Sequence, residues 1–306
     1  MIRRLALVLL LPGLALAQSL DFTRGGPVEV TAREGIEWRQ AEQAVVAIGD
    51  ARAVRDGVTL SADRLTARYR PRGGAAAPQP DAQNPVGGSE IWRLEADGNV
   101  RIETPAERAE GARAVYDMDQ AVMVLSGGAL RLTTPDAVLT ARDSLEYWPQ
   151  RRMAVARGDA LVVATDGRRI RADTLVGHFL EEGAARAAAP APAPGGRAGV
   201  PGQGSRIERV EAFGAVEIRT AEEVIRGDRG VYSPLTGTAR LTGNVRITRG
   251  ENQLNGAEAI VDLRAGTARL VAAPGERVQG VVLPGSAPPA QQQAPAQRPP
   301  AAGAPR

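Results

Sequence analysis

Few residues in this 306-residue chain could do chemistry, and most of those recur in step. Asp63, Asp143, Asp173, Asp228 and Glu258 each follow a small residue or an arginine at the same phase of a longer pattern. Repetition at one phase reads as a bend whose carboxylate satisfies backbone amides, rather than as five active sites. His178 is the sole histidine, and no motif ties a serine or carboxylate to it, so it reads as a structural or surface residue. Cysteine is absent and no D-x-D-x-D-G loop occurs, so no metal site, cofactor or catalytic residue is expected and the protein is read as a non-enzyme.

All 38 basic residues are arginine. High-GC base composition accounts for this first and selection for phosphate contacts second. The alternating Arg101, Arg131, Arg246 and Arg269 read as solvent-side strand residues, or as contacts to anionic head groups at a groove mouth. The net charge of +3 falls to +1 without Arg3 and Arg4, far from the basic field of a nucleic-acid binder, and no nucleic-acid partner is expected.

The elements that must carry these residues repeat. Gly127 to Tyr147 alternates apolar residues on both sides of Thr134-Pro135-Asp136, the pattern of an antiparallel hairpin with one buried face. Similar stretches begin at Gly98, Gly158, Gly214 and Gly243. Spacings are 29 (Gly98 to Gly127), 31 (Gly127 to Gly158) and 29 (Gly214 to Gly243), and the two longer gaps contain Pro/Gly/Ala-rich insertions at 71–89 and 181–205. Both insertions fall at the same phase, so both hang from one edge of the sheet. Each unit reads as two strands of about a dozen residues, the first broken by glycine, the mark of a bulge or sharp bend. Strands that all bend at one height fold the sheet over along its length. Roughly fourteen strands at about 4.8 Å spacing make a body ~65 Å long.

Parity places Val100, Ile102, Leu130, Leu132, Leu161, Val163, Val216, Ile218, Val245 and Ile247 of the first strands on the inner face. Leu145, Tyr147, Leu175, Phe179 and Tyr232 join them from the second strands. With only 3% aromatic residues to plug it, this interior reads as an elongated apolar slot for lipid tails. The first and last strands, Val28 to Trp38 and Leu254 to Leu270, are the candidate open edges.

Residues 1–17 carry two arginines, an apolar run too short to span a bilayer and an Ala15-Leu16-Ala17 end, which together read as a signal peptide cleaved near Ala17. The folded body is expected over 24–283, and 284–306 reads as a disordered Pro/Ala/Gln-rich tail.

The tandem pieces GDARA…SADRLTARY, GNVRI…AEGARAVY, GGALRL…ARDSLEY, GDALVV…RADTLVGHF, GAVEI…RGDRGVY and GNVRI…GAEAIVD resemble the OstA-like (LptA) family of lipopolysaccharide-transport proteins. The resemblance implies an all-β, twisted, V-shaped β-jellyroll in the periplasm whose apolar interior holds the lipid A acyl chains of lipopolysaccharide. It also implies head-to-tail homo-oligomers, and edge-strand pairing with LptC-like and LptD-like OstA-type domains in a bridge from inner to outer membrane. The long insertions and the Pro-rich tail depart from the family pattern. Two rivals stand beside this reading. One is a structural β-repeat scaffold or surface module with a filled core and no lipid. The other, an enzyme on a parallel β-helix, lacks support because each unit has two hairpin-type turns.

Overall fold

The computed structural model describes residues 28–281 except 56, 72–88, 106, 181–206, 263, 266 and 276. The expected leader, the tail, the whole of the second insertion and all but the ends of the first lie outside the described residues. Eighteen strands follow in order: β1 (Glu29–Thr31), β2 (Gly35–Arg39), β3 (Ala44–Arg55), β4 (Val58–Pro71), β5 (Ser89–Glu103), β6 (Arg108–Asp117), β7 (Val122–Ser126), β8 (Leu130–Thr133) and β9 (Ala137–Ala141). Then come β10 (Ser144–Trp148), β11 (Met153–Ala164), β12 (Arg169–Phe179), β13 (Ile207–Arg219), β14 (Glu223–Ser233), β15 (Thr238–Arg249), β16 (Asn252–Asp262), β17 (Thr267–Val271) and β18 (Gln279–Val281).

Four pairs of these are halves of single rungs. β1 and β2 both lie along β3, β7 and β8 along β6, β9 and β10 along β11, and β17 and β18 along β16. Among the described residues this leaves fourteen rungs, each antiparallel to its sequence neighbours, the all-β meander that the alternation predicts. Pro71 pairs with Ser89 and Phe179 with Ile207, so both insertions leave from the same edge. At the other edge the hydroxyls of Thr104, Thr134 and Thr220 accept hydrogen bonds from the amides of Glu107, Ala137 and Glu223 at 2.9, 3.1 and 3.1 Å, which fixes tight turns.

The fold line is a two-for-one bulge. Gly49-Asp50 opposes Asp63, Gly158-Asp159 opposes Asp173, and Gly214-Ala215 opposes Asp228, because the register skips those residues. Both members of each pair are left-handed, as at Gly158 (φ 81°) and Asp159 (φ 50°). The acid of one rung lies against the glycine of the next: a methyl group on Gly98 would come within 2.1 Å of Asp63 Oδ2. Asp63 and Asp228 accept hydrogen bonds from the side-chain amides of Asn99 and Asn244, so the amides these two acids meet are those of asparagine side chains rather than the expected backbone. Glu258 is out of phase with the other acids, because it pairs in register with Thr242 and its carboxylate meets Arg240 at 2.7 Å.

Past the bulge the chain reverses its lean, and the two arms of the sheet face each other. A methyl group on Gly256, in the arm that ends in tight turns, would approach Leu270 Cδ2 of the other, loop-bearing arm to 2.6 Å. Beside the fold line of the turn arm each bulky residue pairs with a small one: Val100 with Gly111, Leu130 with Ala141, Val216 with Gly227, Val245 with Gly256. The loop arm does the same with Leu65 and Ala96, Leu175 and Ala212, and Leu241 and Ala259. Large-against-small pairing lets the arms interdigitate without large aromatic residues. Two apolar cores result, one from Ala47 to Leu130 and one from Ala156 to Val261, and Leu145 packs against both. Among the described residues no polar or charged side chain is buried.

The outer face is an arginine–carboxylate lattice. Glu95 bonds Arg68 at 3.0 Å and Arg93 at 2.8 Å, and Glu217 bonds Arg226 at 2.7 Å and Arg219 at 3.0 Å. Burial pushes both carboxyls up, but the arginines outweigh it and hold them below the usual carboxylate range. Arg171 lowers Asp159 and Arg168 lowers Asp166 through direct hydrogen bonds. A carboxyl whose folded pKa is depressed stabilises the fold above its unfolded pKa and loses that contribution as pH falls through the folded value. The melting temperature is therefore expected to stay level from neutral pH down to about pH 5 and to fall below about pH 4. A thermal-melt series across pH checks this, and a level profile to about pH 2 would contradict it.

Candidate functional site

Two inner rows near the open ends of the arms frame the slot. On the turn arm, register runs from Leu60 to Ile102, Ala109, Leu132, Leu139, Val162, Ile170, Ile218, Ile225, Ile247 and Leu254. On the loop arm it runs from Leu94 to Tyr116, Met123, Tyr147, Ala154, Gly177, Val210, Tyr232, Ala239, Val261 and Ala268. Neither row contains a charge, as an acyl-chain surface requires.

The structure sorts the expected slot residues into three places. Ile102, Leu132, Ile218 and Ile247 lie on the turn-arm row and Tyr147 and Tyr232 on the loop-arm row. Phe179 meets Tyr147 edge-on with ring centroids 6.2 Å apart. Val100, Leu130, Val216 and Val245, each 1% exposed, form the packed floor beside the fold line, with Leu145 and Leu175 opposite them. Leu161 and Val163 belong to the outer face, a correction to their expected placement: they pair with Arg171 and Arg169 in the outward rows. Aligned on its left-handed pair, Gly158-Asp159 matches Gly98-Asn99, which puts Ala160 and Val162 at the inward positions of Val100 and Ile102. Side-chain bulk misleads there, and the glycine phase is the signal that corrects it. The same rows add Leu139, Ile170 and Ile225, residues of the second strands that first-strand parity does not reach.

Access to the slot is uneven. Ile102, Tyr116 and Met123 are buried, as are Ile225, Ile247, Tyr232, Ala239 and Val261, so the arms close on each other in both cores. Burial also pushes the Tyr232 phenol up to about 12. Between these closures Leu139, Tyr147, Ala154, Val162, Ile170, Gly177, Val210 and Ile218 are all half-buried. A further opening of about 520 Å³ lies at the C-terminal end, where Ile247 and Leu254 face Val261 and Ala268. Its rim carries Glu222, Glu223 and Asp262 beside Arg168 and Arg249.

Among the described residues β1 and β2 pair only with β3, and β17 and β18 only with β16, so the sheet they form is open, with a free edge at each end. Ile36 is 52% exposed on the first and Val281 62% on the last. The C-terminal edge is thus β17 and β18 rather than the whole of Leu254 to Leu270, since β16 has partners on both sides.

A crystal structure of LptH, the LptA homologous periplasmic component of the conserved lipopolysaccharide transport device from Pseudomonas aeruginosa, matches at 16% identity, covering 48% of this chain and 95% of that one, with a TM-score of 0.36. No curated protein matches the chain. The family model described as LptA/(LptD N-terminal domain) LPS transport protein matches twice, over residues 29–147 and 143–267, and the two matches meet in β10, where Leu145 joins the two cores. With that match extending over most of its length, the chain belongs to the LptA/LptD N-terminal family of lipopolysaccharide-transport proteins.

Proposed function

We propose that the protein holds the acyl chains of lipopolysaccharide between its two arms and passes them along a bridge through the periplasm. The observation that carries this is the pair of uncharged, facing inner rows with a half-buried stretch between the closure at Ile102 and Tyr116 and that at Ile225 and Tyr232. Each buried methylene contributes about 0.8 kcal/mol, so several are enough to hold a lipid tail without a polar anchor. The free edges support end-to-end joining: an unpaired strand is a hazard in a monomer and a binding element where a partner strand completes the sheet. In this reading the chain is exported, loses residues 1–17 near Ala17, folds over 24–283, and pairs with further copies of itself and with LptC-like and LptD-like domains.

A lipid-free scaffold is the second reading, favoured by the closure of the slot in both cores. Site-specific photocrosslinking to lipopolysaccharide separates the two. Leu132, Val162 and Ile218 are expected to label strongly and Arg131, Leu161 and Val163 weakly. Equal labelling of the two faces, or none, would sink the lipid reading.

A further inference from the structure

We propose that the lipid enters and rests in one central window, over β9 to β13, and that Gly177 sets how much acyl chain the window admits. The proposal rests on the lipid-binding reading above and narrows it from a slot to a segment. Between the closure at Ile102 and Tyr116 and the closure at Ile225 and Tyr232, both facing rows are half-buried on every rung from β9 to β13, whereas the half-buried Leu60, Leu94, Ala109 and Leu254 elsewhere in the rows each have a buried residue beside them or lie toward an end of the sheet. Within it the turn arm offers Val162, Ile170 and Ile218, and the loop arm recedes to Ala154 and Gly177 between Tyr147 and Val210. Gly177 has no strained backbone to explain it, and a methyl group added there would meet nothing within 4 Å. The space its missing side chain leaves is therefore open to a ligand.

Charge favours an anionic amphiphile here over the C-terminal opening. The loop that joins the rungs of Tyr147 and Ala154, Pro149–Arg152, presents Arg151, whose guanidinium stacks over the Trp148 ring at 4.8 Å. The C-terminal opening is rimmed by three carboxylates against two guanidinium groups, which disfavours a phosphorylated head group. An uncharged floor with a cationic edge matches lipopolysaccharide, whose acyl chains and phosphates lie at one end of the molecule.

The test uses the full mature chain and purified lipopolysaccharide. Photoreactive residues at Ile170, Ile102 and Leu254 report the window, the closed slot and the C-terminal opening. Ile170 is expected to label about tenfold more than either of the others. Gly177→Leu, which fills the window, is expected to weaken lipopolysaccharide binding about tenfold with an unchanged melting temperature, and Gly177→Ala much less. Even labelling at all three positions, or wild-type affinity in Gly177→Leu with Ile170 still labelled, would overturn the window while leaving lipid binding intact. No labelling at any inward position of the unsubstituted chain would overturn both.

Discussion

Leu241→Ala is expected to destabilise the protein by about 3–4 kcal/mol, near the upper part of the range for leucine truncation in a core. Leu241 is fully buried, and its cross-strand neighbours are Gly230 and Ala259, whose side chains are too short to move into the space left behind. A cavity that cannot collapse costs the lost transfer energy and the lost packing contacts together. Because Leu241 belongs only to the C-terminal core, hydrogen exchange should show the loss of protection over β11 to β16 while β3 to β6 keep theirs. A change below about 1 kcal/mol in denaturant unfolding would show that this interior repacks freely, contrary to the interdigitation described above.

Gly98→Ala is expected to cost about 2–3 kcal/mol through two separable effects. Its φ of +78° is one that an L-residue adopts with strain, and its added methyl would lie 2.1 Å from Asp63 Oδ2 and 2.9 Å from Asp63 Cβ. Gly167 supplies the comparison: its φ is +85°, yet a methyl there meets nothing within 4 Å. Gly167→Ala should therefore show only the backbone part, about 1 kcal/mol. Removing the carboxylate in Gly98→Ala/Asp63→Ala should recover part of the difference. Equal losses at Gly98 and Gly167 would mean that the acid merely swings aside and that the fold line depends on backbone conformation alone.

The repeat, the rung count, the fold line and the edge bearing both insertions were all legible in the sequence. They are written along the chain, in alternation and in glycine phase, where local conformational preference acts. What crosses the chain was harder to read. The pairing of Leu241 with Gly230 and Ala259 runs perpendicular to the strands, so residues far apart in sequence must be aligned before the large-small order emerges. Leu161 and Val163 are bulky residues on the outward face, and a reading by bulk sends them inward; only the left-handed pair at Gly158-Asp159 fixes the parity. Closure of the slot at Tyr116 and Tyr232 depends on the volume between two arms, which no single strand specifies. His178, the lone histidine, stands 3.4 Å from Glu211 on the outer rows, apart from the slot.

Among the described residues every rung pairs only with the rungs next to it in sequence, so none of these strands waits for a distant partner and the loops to be closed are short, apart from the two insertions. Assembly can proceed from the N-terminus one hairpin at a time, each new rung using the previous one as its template. A growing chain presents a single advancing edge, and among the described residues that edge is β17 and β18. The surface on which folding stops is of the same kind as the surface on which assembly with another strand can begin.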